Sequence, residues 1–180
     1  MRFLSRITGS FREGSRAGHK RHSTGRRRSP IGCEMLEARA LLSNIPGVSL
    51  QFGNLAITAT KASGNVAVVS IDPSNHNVKV SFNGQSEEFK ASLVDNITYT
   101  GGKNGGDTFT DNTNLVSLEY GYGGSNNFTG GTSYNYVYFW GNSNNFDGPA
   151  GSVSDVFEHG GKNDTTEDPP GAIIYVYPNS

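Results

Sequence analysis

Gly121-Tyr122-Gly123-Gly124-Ser125-Asn126-Asn127-Phe128 decides the reading of this chain, because the same pattern comes back along it. An earlier copy is Gly102-Lys103-Asn104-Gly105-Gly106-Asp107-Thr108-Phe109. A later one is Phe139-Trp140-Gly141-Asn142-Ser143-Asn144-Asn145-Phe146, and the last is Glu158-His159-Gly160-Gly161-Lys162-Asn163-Asp164-Thr165. The closing positions Phe109, Phe128, Phe146 and Thr165 lie 19, 18 and 19 residues apart. Apolar residues recur about midway, at Leu118, Val137 and Val156. Residues 97 to 165 therefore read as a degenerate repeat of 18 to 19 residues. Gly and Asn supply the positive φ angles at which a backbone can bend sharply. One such turn cannot bury its own apolar residues, but neighbours stacked about 4.8 Å apart can. The repeat predicts a short right-handed parallel β-roll or β-solenoid over 101–177, with the strand Ala172–Tyr177 capping the stack.

Upstream of the repeat the period is two. Val48 to Phe52 alternates, as do Leu55, Ile57 and Ala59, and Val78, Val80 and Phe82. Alternation with β-branched residues is a strand signal. Asn83-Gly84 suits the type I′ turn of a two-residue hairpin, because both central residues need positive φ. Asp72-Pro73-Ser74-Asn75 is a second turn, joining Val66–Ile71 to Val78–Phe82. Residues 48–100 are thus expected to form a β-meander, and the fold class is all-β.

Charge divides the chain. The net charge is −1, but ten of the 15 Lys and Arg lie at or before Arg39. An acidic body follows a basic leader, and opposite-sign segments suggest different roles. Residues 1–33 are rich in Arg, Ser and Gly and are expected to be disordered. Arg26-Arg27-Arg28 lacks the interleaved aromatics and folded basic module of a nucleic-acid site, so nucleic acid is not the expected partner. The leader has no clear apolar segment of the kind a secretory signal carries. No run of 18 apolar residues exists, so no transmembrane helix is expected. Cys33 is the only cysteine, which excludes an internal disulfide framework. Residues 34–43 contain good helix formers from Glu34 to Leu42 and predict a short helix ended by Pro46-Gly47.

Two stretches resemble known families. The repeat resembles the hemolysin-type (RTX) calcium-binding repeat, G-G-x-G-x-D-x-U-x, where U is a large apolar residue. Gly102, Gly105, Asp107 and Phe109 match its first Gly, third Gly, Asp and U positions, and Gly121, Gly124 and Phe128 match in the next copy. Separately, Leu36-Glu37-Ala38-Arg39-Ala40-Leu41-Leu42 resembles the LEPR-XLL motif of large planctomycete secreted or surface proteins, with Ala38 in place of Pro. Together the resemblances imply an extracellular or cell-surface protein, with calcium as the one implied cofactor. Its metal column here reads Asp107, Asn126, Asn144, Asn163. Calcium prefers several oxygen ligands with net negative charge. Asp107 is therefore the candidate calcium ligand, while Asn126, Asn144 and Asn163 suit an asparagine ladder exchanging amide hydrogen bonds without metal.

Catalytic groupings are not found. Glu87 and Glu88 are adjacent on a strand and should point to opposite faces. Glu167-Asp168 reads as solvated linker, and His159 with Asp155 or Asp164 lacks a placed serine nucleophile. In Tyr136-Val137-Tyr138-Phe139-Trp140, alternation puts Tyr136, Tyr138 and Trp140 on one face, outward if Val137 and Phe139 are core. Exposed aromatics on a rigid sheet can stack on sugars or contact a partner. The expected function is a non-catalytic structural or adhesion-type repeat protein, with an extracellular or cell-surface polymer as its expected partner. The alternatives are a carbohydrate- or partner-binding module using that aromatic face, and a calcium-dependent folding module.

Overall fold

A computed structural model describes residues 41–160, 165–167 and 173–177. The chain divides into two units, Met1–Met35 and Leu36–Ser180, and every described residue belongs to the second. The expected leader over 1–33 and the first part of the expected helix over 34–43 lie outside the described residues. The described residues are nearly all β, in two open mixed sheets.

The first strands are β1 (Leu41–Leu42), β2 (Val48–Gln51) and β3 (Asn54–Thr58), which pair antiparallel in that order. Leu41 and Leu42 are thus a strand and not the end of a helix, a correction to the propensity reading. Their backbone pairs with Ser49 and Leu50, and that tertiary pairing outweighs a weak helical preference in two residues. Phe52 is also not a strand residue. It sits in the tight turn Phe52-Gly53 at φ 49°, 86% exposed.

Next come β4 (Val66–Ile71), β5 (Val78–Phe82) and β6 (Gln85–Phe89), an antiparallel meander. Asn83 at φ 48° and Gly84 at φ 86° close the hairpin with Phe82 opposite Gln85, as the Asn-Gly pair predicts. At the other turn the Asp72 carboxylate accepts from the Ser74 N–H at 2.7 Å, an Asx turn. Residues 48–100 are nevertheless not one meander. The β2–β3 hairpin lies in one sheet and β4–β5–β6 in the other.

A single 3-10 turn, Ala91–Leu93, leads into the second half. There follow β7 (Asn96–Thr100), β8 (Thr108–Asn112), β9 (Val116–Gly121), β10 (Asn127–Thr129), β11 (Tyr134–Trp140), β12 (Asn145–Asp147), β13 (Val153–His159), β14 (Thr165–Glu167) and β15 (Ile173–Tyr177). The chain passes from one sheet to the other at every step. The first sheet is ordered β1-β2-β3-β7-β9-β11-β13-β15 and the second β14-β12-β10-β8-β4-β5-β6. From β3 and β4 onward each new strand of the second half pairs parallel with the last one laid beside it in its sheet.

The two inner faces share one core. Tyr99 of β7 stacks on Phe109 of β8 with ring centroids 4.7 Å apart, and Phe128 of β10 packs edge-on to both. Phe128 also meets Phe139 of β11 at 5.2 Å. Phe109, Phe128 and Phe146 stand opposite one another in register, all buried. At the bends backbone lies on backbone. A Cβ on Gly105 would fall 2.0 Å from the Gly124 carbonyl oxygen, and one on Gly141 1.9 Å from that of Gly123. Only glycine allows that approach.

Candidate functional site

Three groups of side chains carry chemistry. The first is the column that the repeat places just before β8, β10 and β12. The Asn126 side-chain amide donates to Asn144 Oδ1 at 2.9 Å, and its Oδ1 accepts the Asp107 N–H at 3.1 Å. Asn144 Oδ1 also accepts the Asn126 N–H at 3.2 Å. Asp107, Asn126 and Asn144 are all buried. The column has an earlier member that the sequence reading missed, Asn65. Its N–H and its side-chain amide both donate to Asp107 Oδ1, at 2.7 and 2.8 Å, while Gly102 N–H donates to Asp107 Oδ2 at 2.5 Å. Gly64-Asn65 before an alternating strand was the available signal. The β5–β6 hairpin inserted after it broke the spacing.

Asp107 therefore spends both carboxylate oxygens on N–H donors. Among the described residues no group of three or more His, Cys, Asp or Glu is gathered as metal ligands would be. Asn163 lies outside the described residues. The fourth copy is also shifted by one: Thr165 stands opposite Asn145 and Thr166 opposite Phe146. The link from Asn145 to Thr165 is thus one residue longer than the sequence spacing suggested, an offset that only the register reveals.

The second group lies on the outer face of the first sheet. Tyr136, Tyr138 and Trp140 are half-exposed while Val137 and Phe139 are buried, which is the expected alternation. The parallel register extends this face into aromatic columns across strands. Tyr120, Tyr138, Phe157 and Tyr175 stack in succession at 5.2, 4.6 and 4.9 Å. Tyr122, Trp140 and His159 form a second column at 4.9 and 5.2 Å. The rings along these columns are within 7–17° of parallel. Ring faces are turned on one another and edges outward, with Tyr122 and Tyr175 the more exposed members. His159 is held against an indole ring.

The third group was not anticipated. Val137 stands opposite Val156, as the spacing predicts, but its partner on β9 is Glu119 and not Leu118. Leu118 pairs with Tyr136 on the outer face. Glu119 is wholly buried, and on β7 it stands opposite Tyr99. Burial pushes the Glu119 carboxyl up to about 8, with nearby Asp111 adding to the rise. Burial likewise raises Asp111 of β8 to about 6, although the Thr113 N–H donates to its Oδ1 at 2.8 Å. Ser117 Oγ lies 2.8 Å from Glu119 Oε1 and 3.0 Å from Asn135 Oδ1. Among the described residues Glu119 Oε2 and Asp111 Oδ2 have no hydrogen-bond partner.

The two adjacent carboxylates noted upstream point apart. Glu87 accepts from Ser43 Oγ and the Asn44 N–H, while Glu88 accepts from Asn75 on the other face. The fold and these groups define a nearly all-β protein of two mixed sheets with an aromatic outer face. No protein-family model, curated protein or solved structure matches the chain. Among the described residues no helix is long and apolar enough to cross a membrane.

Proposed function

We propose that this chain is a non-catalytic structural or adhesion-type repeat module of an extracellular or cell-surface protein. In this reading residues 101–177 are a short β-solenoid related to hemolysin-type calcium-binding repeats, with β7 as its incoming strand. The alternation of the chain between sheets and the parallel addition of each strand support a coil. A right-handed coil is the expected sense for parallel crossovers. The leader over 1–33 and the motif at 36–42 would serve export or surface attachment.

The observation that carries the reading is the column Asn65, Asp107, Asn126, Asn144. Its side chains bond to each other and to the backbone, so the residues a metal would use are spent on holding strand to strand. Buried amide groups demand partners, and here each turn supplies them to the next. Circular dichroism and thermal melting in calcium and in chelator test this. The expected result is the same β spectrum and the same midpoint in both. Loss of structure in chelator would overturn the metal-free ladder, in favour of a calcium-dependent folding module with Asp107 as ligand.

The aromatic columns favour a second reading, a carbohydrate- or partner-binding surface built on Tyr136, Tyr138 and Trp140. Tyr122, Tyr134 and Tyr175, residues 37%, 50% and 40% exposed, enlarge it.

A further inference from the structure

The interior carboxyl of Glu119 has a determinable protonation state, because its hydrogen-bond chain can be counted. The chain is anchored at Asn135. Its side-chain amide nitrogen donates to the carbonyls of Gly131 and Ser133, at 3.0 and 3.2 Å, and lies 3.3 Å from Ser154 Oγ, and its Oδ1 accepts the Gly131 N–H at 2.8 Å. That fixes which end of the amide is oxygen. Asn135 Oδ1 can then only accept from Ser117 Oγ. A hydroxyl has one proton, so Ser117 has none left for Glu119. An ionised Glu119 would leave either Ser117 Oγ facing Asn135 Oδ1 or Glu119 Oε1 facing Ser117 Oγ with no proton between two acceptors. A proton on Glu119 Oε1 satisfies both contacts of Ser117 Oγ: Glu119 donates to Ser117, and Ser117 donates to Asn135.

The surroundings offer no substitute for that proton. On β7 the residue opposite Glu119 is Tyr99, whose buried phenol oxygen has no partner among the described residues and is pushed up by burial. On β11 it is Val137, and Asn135, Val137 and Phe139 are the residues that strand buries. Across the core β8 contributes Asp111, an acid with its own unpartnered oxygen. Glu158 of β13 is a further buried acid, on the strand beyond β11. Lys, Arg and His are absent from the buried residues among those described. An ionised Glu119 would be a buried charge without a counter-ion, in the company of other acids, which is strongly unfavourable.

We propose that Glu119 enters the fold as a neutral acid and that its proton is a ligand of the interior, bound at the rung where β8 and β9 face each other. The stack is tight while the proton is held and loosens when alkaline pH removes it. The sign follows from linkage. An acid with a raised folded pKa binds more protons folded than unfolded between its ordinary value of 4.5 and about 8. Stability contributed by Glu119 is therefore complete below about 4.5 and falls as pH rises through that window. One proton of difference changes the folding equilibrium about tenfold per pH unit. Asp111 adds a second proton in the same direction between 3.8 and about 6.

The test is chemical denaturation of the full chain from pH 4 to 9, wild type against Glu119→Gln. Gln keeps the shape, and its amide can donate to Ser117 in place of the acid. The expected result is a wild-type folding constant that falls about tenfold per pH unit between pH 6 and 8, and a Glu119→Gln constant flat over that range. Equal slopes in the two proteins would overturn the proposal. A reading that does not depend on the variant folding is the side-chain 13C resonance of Glu119 in the wild type. It should titrate near pH 8, and an ionised signal at pH 6 would overturn the proposal. Calcium or sodium that restores wild-type stability at pH 8, but not that of the variant, would also overturn it, assigning the unpartnered oxygens to a cation.

Discussion

Leu118 and Glu119 show what one residue of register does. A strand alternates faces, so a shift of one exchanges core for surface. The spacing of apolar residues placed Leu118 inside with Val137 and Val156, because apolar residues are the usual core occupants. The pairing puts Leu118 beside Tyr136 on the outer face and Glu119 inside. Phe128, by contrast, is wholly buried among Tyr99, Phe109 and Phe139. Phe128→Ala should cost about 3–5 kcal/mol of stability, since it empties a site that its ring neighbours cannot refill. Leu118→Ala should cost roughly 1 kcal/mol or less, as a half-exposed surface change. Urea midpoints of the two variants check the assignment, and equal losses would return Leu118 to the core.

At the scale of the element, β11 does two jobs with one alternation. Its even-numbered aromatics Tyr136, Tyr138 and Trp140 line the outer face, and Val137 and Phe139 fill the core. The Tyr138 and Trp140 rings stack with Tyr120, Tyr122, Phe157 and His159, so part of their apolar surface already binds neighbouring strands, while Tyr136 stacks on Tyr134 of its own strand. Such pairs stabilise a sheet by roughly 0.5–1.5 kcal/mol each beyond area burial. The binding reading expects the wild type to be retained by at least one immobilised polysaccharide and Trp140→Ala not to be. Retention of neither, with a lower melting midpoint for Trp140→Ala, assigns the columns to cohesion between strands. Asn126 links elements in a different way, joining Asp107 to Asn144 across strands that share no turn.

Over the whole molecule, stability is passed from neighbour to neighbour. In the second half each strand pairs only with the strands on either side of it in its own sheet. Stacks of this kind open from their ends, with the most protected amides in the interior. Amide hydrogen exchange should be slowest in β8 and β9, which lie inside their sheets and carry the buried acids Asp111 and Glu119. It should be fastest in β14 and β15, which stand at sheet edges. Uniform protection along the chain would show that the stack opens only as a unit.

Read alone, the order of amino acids dictates the all-β class, the Asn83-Gly84 hairpin, the three aligned phenylalanines and the outward Tyr136–Trp140 face. Each of these rests on local physics: strand alternation, positive φ, or equal spacing of like residues. Tertiary pairing settles the rest. It splits the 48–100 strands between two sheets, draws Leu41–Leu42 into a strand and adds Asn65 to the ladder. It also moves the fourth copy by one residue and buries Glu119. None of these is local. Sheet membership and register depend on which strand lies alongside, and Glu119 meets Ser117, and through it Asn135, only because the register turns all three side chains to the core.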